Sequence, residues 1–279
     1  MGNKLCNICE SKLSPYKYIL GEDTSSKVLV LKCKKCKMLC SEVVSNYKES
    51  TFSHNTLDGY LDSKDYSKIR INKLLKFISS KYNHNVENTT ILDIGCGVGW
   101  SLKEAKRMGY KCSGVEPMAM AANYAKVNLH LDVINEKYNS SLIKNPVDIV
   151  ILDQVAEHVS SPLEFLIDVT KVLKPAGILF IAVPPNDWLR RALSISLQIP
   201  YKILRGRLIS RNSLIKKMAK LDLYSTPEGH INVFTEKSIR LLANRLGLEY
   251  CSQYHSSQKR NIINKIFSLT SGSYILRKN

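Results

Sequence analysis

Residues 91–99 read Ile-Leu-Asp-Ile-Gly-Cys-Gly-Val-Gly. Thr90 to Ile94 is a short β-branched and apolar run, the pattern of a buried parallel strand, and Asp93 interrupts it one residue before its end. Gly95, Gly97 and Gly99 follow at alternate positions, and Trp100 to Met108 reads as a helix. A strand that ends in a glycine-rich turn and opens a helix suits a nucleotide cofactor. Glycine lets backbone approach a ligand, and the helix N-terminus offers unpaired N–H groups. Lys111 to Val115 is a second short strand ending on Glu116. A carboxylate at that tip is placed to accept hydrogen bonds from both hydroxyls of a ribose, and the Asp93–Glu116 spacing fits one βαβ unit.

Dinucleotide enzymes prefer GxGxxG, and here the third glycine comes one residue early. The string from Leu92 to Gly99 instead resembles the first motif of class I S-adenosylmethionine-dependent methyltransferases. Leu152-Asp-Gln-Val-Ala-Glu-His-Val159 and Leu173-Lys-Pro-Ala-Gly177 resemble that family's motifs after its fourth strand and before its fifth. The resemblance spans residues 66–279 and carries no substrate information. It implies an α/β fold, a doubly wound and mainly parallel seven-stranded Rossmann-like sheet, over residues 85–279. It also implies a cofactor site of Asp93, Gly95, Cys96, Gly97, Gly99, Glu116, Pro117, Asp132, Asp153 and Gln154. An acidic or amide group near the end of the third strand (residues 129–134) meets adenine in the family. Asp132 and Asn135 both qualify. Some quinone-forming O-methyltransferases carry a glutamate where Gln154 stands and bind a divalent ion there, so no magnesium is expected.

Further strands are expected at 147–152, 178–183, 248–254 and 273–276. Helices are expected at 65–82, with Ile69, Leu74, Leu75 and Ile78 inward, at 118–128, and at 162–172 behind a Ser161 cap. Thr235 caps a last helix to Leu246, with Ser238 downstream.

The N-terminal segment holds two CxxC knuckles, Cys6-Asn-Ile-Cys9 and Cys33-Lys-Lys-Cys36, with a strand-like run at 27–32 between them. Four thiolates at this spacing surround one zinc, at about 2.3 Å each. Residues 1–45 therefore read as a zinc ribbon, and residues 46–84 as linker and leading helix. So small a module cannot bury enough apolar area to fold alone, so zinc supplies its stability. Cys40 is superfluous once four sulfurs are in place. Some methyltransferases of glycan and sugar pathways carry a similar module.

Two histidines are candidate general bases. His158 follows the strand ending at Asp153, and His230 precedes an Asn-Val-Phe-Thr element that resembles the family's substrate-pocket closure. Each has a plain alternative as a hydrogen-bonded loop residue.

The chain has 279 residues, 44% apolar content and a net charge of +17. No apolar run is long enough to span a membrane and no signal-peptide core is present, so a cytoplasmic location is expected. Residues 188–221 hold nine basic side chains, Arg190 to Lys220, and no acid. This basic, apolar lid insertion (185–228) can rest on the inner face of an anionic membrane, grip a phosphorylated or lipid-linked acceptor, or simply be a solvated lid. The function expected is methyl transfer to an oxygen of a sugar, glycan intermediate or other small polar acceptor. RNA methylation, with the ribbon and insertion as the grip, is a rival. The Asn/Asp-Pro-Pro-Tyr tetrapeptide of base N-methyltransferases is absent, and the strand ends Pro184-Pro185-Asn186-Asp187. A non-catalytic scaffold is a second rival, opposed by undamaged motifs.

Overall fold

The computed structural model describes residues 4–20, 27–41, 57, 61–184, 231–254 and 272–279. His230 and the insertion 185–228 lie outside these residues, so no structural account of them follows.

In chain order, β1 (Leu13–Leu20), β2 (Lys27–Cys33) and β3 (Leu39–Ser41) are followed by α1 (Lys64–Tyr82), β4 (Thr90–Ile94) and α2 (Trp100–Arg107). Next come β5 (Lys111–Val115), α3 (Ala119–Leu129), β6 (Val133–Ile134), β7 (Val147–Asp153), α4 (Pro162–Lys171) and β8 (Leu173–Val183). The chain closes through β9 (Asn232–Val233), α5 (Glu236–Arg245), β10 (Leu248–Gln253) and β11 (Gly272–Lys278).

The large sheet has seven strands in the order β10-β11-β8-β7-β4-β5-β6. β4 lies parallel between β5 and β7, and β11 alone of the seven runs against the rest, antiparallel to both β8 and β10. The chain leaves β4 toward β5 and β6, then returns to β7 on the other side. That reversal opens a crevice at the carboxyl ends of β4, β5 and β7, where ligands of such sheets collect. The central strands are apolar on both faces: Ile91, Leu92, Val150, Leu152, Leu179 and Ile181 are all buried.

On α1 the inward face is Ile71, Leu74, Leu75 and Ile78, while Ile69 is 56% exposed. Ile69 was expected inside. It lies two positions, about 200° of helical turn, from Ile71, and so points away from the face on which the other four converge. The turn at Lys174–Gly177 falls inside β8, with Ala176 at φ 60°. Ser161 holds the N-cap position of α4 without a side-chain cap, so Pro162 at the first position sets that start. Thr235 does cap α5, in a reciprocal box with Ser238.

A second sheet, β1-β2-β3-β9, is antiparallel and carries the cysteine knuckles. Its fourth strand comes from the far end of the chain: Leu39 pairs with Val233 and Cys40 with Asn232. Both knuckles also dock on α5. Thr235 Oγ1 donates to Cys36 O at 2.8 Å, and Arg245 Nη1 donates to Ile8 O at 2.7 Å. Cys6, Ile8, Cys33, Cys36 and Met38 share one buried cluster with Phe234, Ile239 and Leu242. The ribbon's core is thus continuous with that of the α/β unit. Among the described residues no helix is long and apolar enough to cross a membrane.

Thr235→Ala removes both the cap and the bond to Cys36. It should lower unfolding free energy by about 1–2 kcal/mol in denaturant titrations, while Thr235→Ser retains most of it.

Candidate functional site

The turn after β4 is shaped by backbone that side chains would obstruct. Gly95 has φ 74°, and a Cβ there would lie 2.6 Å from Val155 Cγ2; at Gly99, φ 83°, it would lie 2.5 Å from Leu131 Cδ1. Gly95 N donates to Val115 O at 2.7 Å, which pins the turn to the tip of β5. Gly99 is the N-cap of α2, so that helix begins at the turn that follows β4.

Glu116 stands at the tip of β5. Its Oε2 accepts from Gly97 N and its Oε1 from Met118 N, both at 2.8 Å. Each oxygen keeps capacity for one further donor, so the carboxylate is held in place with two acceptor positions to spare. Burial raises its carboxyl above the usual range, opposed by those two N–H groups. Asp93 is 3% exposed. Burial, then the neighbouring Asp153 and Glu116, push its carboxyl well up.

Asp153, at the end of β7, completes a group of three carboxylates at the tips of adjacent strands. Arg70, from α1, answers it: one guanidinium nitrogen lies 2.7 and 2.6 Å from the two Asp153 oxygens. Burial opposes the Arg70 charge, and Asp153 more than restores it. The guanidinium also lies 5.9 Å from the rings of Tyr66 and Phe180. The sequence reading missed Arg70. Its only sequence signal was a cation beside Ile71 on a face that otherwise turns inward.

Most of the expected cofactor residues, Asp93, Gly95, Cys96, Gly97, Gly99, Glu116, Pro117, Asp153 and Gln154, lie at this carboxyl edge. Asp132 does not. It precedes the two-residue β6, is exposed, and its carbonyl meets Gly114 N at 2.9 Å. That level is about 7 Å below the β5 tip at the strand rise. Asn135 takes the position instead, with its Nδ2 donating to Glu116 O at 2.9 Å and Pro117 O at 3.2 Å. Gln154 adopts φ 60°, and its amide donates to Ala182 O at 3.3 Å.

His158 is half-buried in the loop after β7, its N–H on Val155 O at 3.0 Å. Beside it Glu157 is completely buried, and burial pushes its carboxyl up to about 8.

The Sγ atoms of Cys6, Cys9, Cys33 and Cys36 all lie within 4.8 Å of one another. Cys6–Cys36 and Cys9–Cys33 are 3.5 and 3.4 Å apart, too long for disulfides. A tetrahedral zinc with 2.3 Å bonds sets sulfurs about 3.8 Å apart, so the cluster fits that ion. Cys40 stays outside it, its thiol pushed up to about 12 by burial.

A family model described as "Methyltransferase domain" matches residues 65–253. The ubiquinone biosynthesis O-methyltransferase of Schizosaccharomyces pombe is 32% identical over 115 residues, covering 38% of this chain and 42% of that protein. The Rhodopseudomonas palustris protein of the same name is 32% identical over 117 residues, covering 39% and 46%. The chain thus matches less than half the length of these curated relatives. Among solved structures, the plantazolicin methyltransferase BamL with a triazolic desmethylPZN analog and SAH aligns at TM-score 0.56 and 17% identity. That alignment covers 83% of this chain and 94% of that one. A SAM-dependent methyltransferase from Aquifex aeolicus aligns at 0.52 and 18% identity, covering 84% and 100%. At such identities the structural likeness speaks for the fold.

The Glu157 carboxyl predicts a pH dependence. Between its unfolded value near 4.5 and about 8, the folded chain keeps a proton that the unfolded chain releases, so stability falls as pH rises through that window. Glu157→Gln removes this loss. Its stability gain over wild type in denaturant titrations should grow from pH 5 to pH 8; a gain independent of pH would refute the assignment.

Proposed function

The chain belongs to the methyltransferase domain family, and we propose that it transfers the methyl group of S-adenosylmethionine to a hydroxyl oxygen of a small polar acceptor. The observation that carries this reading is the set of three carboxylates at the tips of β4, β5 and β7, around a glycine turn and with one guanidinium among them. An acidic pocket with spare acceptors fits a ligand that brings two ribose hydroxyls, an ammonium and a sulfonium.

When bound, the cofactor supplies a methyl group already activated on sulfur. Glu116 takes the ribose hydroxyls, and the backbone at Gly95–Gly99 makes room for the methionine tail. Asp93 and Asp153 favour the positive charges. Arg70 can leave Asp153 for the tail's carboxylate, a bidentate partner of matching geometry. Asn135 borders the adenine side. His158 accepts the acceptor's proton as the oxygen attacks, and His230 is the second candidate. Zinc in the four-cysteine cluster is structural, since four thiolates leave no open position.

Oxygen as the target is supported by the relatives' name, O-methyltransferase. That name places them in ubiquinone biosynthesis, so the narrower expectation of a sugar or glycan acceptor gains nothing from them.

Calorimetry with S-adenosylmethionine should show saturable binding to one site; absence of binding would favour a scaffold. Arg70→Ala should weaken that binding tenfold or more while leaving methylthioadenosine, which lacks the carboxylate, unaffected. In a panel of hydroxyl-bearing small molecules and RNA scored by SAH release, a small molecule should serve, and activity with RNA alone would overturn the reading. With that acceptor, His158→Ala should slow turnover at least tenfold; unchanged turnover removes His158 as the base.

A further inference from the structure

The cysteine ribbon reaches the loop after β7, at the end that carries His158. Three successive contacts bind the loop that carries His158. Ile231 N donates to Glu157 O at 3.0 Å, Asn232 Nδ2 donates to Val159 O at 2.6 Å, and Asn7 Nδ2 donates to Ser160 O at 3.0 Å. Each donor belongs to the ribbon, to β9 or to Ile231 immediately before it. Asn7 lies inside the first knuckle. Ser41 N, at the end of β3, donates to Ile231 O at 2.9 Å, and Cys40 pairs with Asn232. Asn232 is 3% exposed, so its amide is a fixed donor rather than a surface contact. The loop from Gln154 to Ser160 has only short 3-10 structure of its own, at Ala156–His158. Its carbonyls at 157, 159 and 160 depend on these outside donors.

We propose that the metal-bound ribbon is a clamp on the methyl-acceptor side, with Asn232 the positioning residue that carries its order to the His158 loop. The cofactor side is anchored apart from the ribbon, on β4, β5, α1 and the β7 tip with Asp153 and Gln154, upstream of the clamped carbonyls, so metal state governs the acceptor side and leaves cofactor binding alone. The functional meaning rests on His158 facing the acceptor; the mechanical coupling does not.

Two measurements on the full chain test it. In the first, amide exchange is compared for zinc-loaded and chelated wild type. Chelation should speed exchange at least tenfold at 155–160 and 231–235 together with the knuckles, while 91–99 stays protected and SAH affinity holds within twofold. Faster exchange confined to residues 4–41 would overturn the clamp, as would equal loss at 91–99. In the second, Asn232→Ala should retain one zinc per chain and wild-type SAH affinity. It should also speed exchange at 155–160 and shift the imidazole NMR signal of His158, identified by its loss in His158→Ala. A general structural role would move the other histidines and the melting temperature as well, and that result would reject Asn232 as a positioning residue. If Asn232→Ala does not fold, the chelation arm decides alone. Unchanged turnover in His158→Ala would remove the base assignment and leave the clamp standing.

Discussion

Three carboxylates crowd the carboxyl edge of one mainly parallel sheet, and Arg70 stands against them. Asp93 and Glu116 are buried there with their carboxyls pushed above the ordinary range. Burying like charges together is costly unless something positive arrives. The rest of the site follows from that constraint. The glycines at 95 and 99 keep side chains out of the turn, and α2 begins directly after it. The Glu116 carboxylate is locked by two backbone donors, so its orientation is set before any ligand binds. Stability is spent on readiness for a cationic ribose-bearing molecule.

The loop after β7 is held by chain segments distant in sequence. β3 and β9 are far apart along the chain and pair side by side. α5 holds one knuckle at each end through Thr235 and Arg245. A ribbon joined in this way shares its apolar core with the α/β unit. A metal held by the four cysteines would then bear on the geometry of neighbouring loops as well as on the ribbon's own folding.

Much of this was legible in the sequence. The strand–glycine–helix pattern at 91–99 located β4 and its turn, Glu116 announced the tip of β5, and the two CxxC pairs announced the cluster. Those signals are local, since each arises from residues a few positions apart. What stayed hidden was set by tertiary contact. Arg70 is ordinary in a lysine-rich helix until α1 packs over the β7 tip and brings it to Asp153. Ile69 looked apolar enough for the core, and helix rotation put it outside. Asp132 and Asn135 both stood open as adenine contacts because strand ends cannot be fixed from composition, and β6 proved only two residues long. Glu157 gave no sign of its burial, which depends on β8 and β9 closing over the loop.

The most direct measurement of the central claim is calorimetric titration of SAH into wild type and Glu116→Ala, with circular dichroism to confirm that both are folded. Losing hydrogen bonds to a charged acceptor, at about 1.5–3 kcal/mol each, should weaken binding at least tenfold. Equal affinity in the two proteins would contradict a ribose held at the tip of β5.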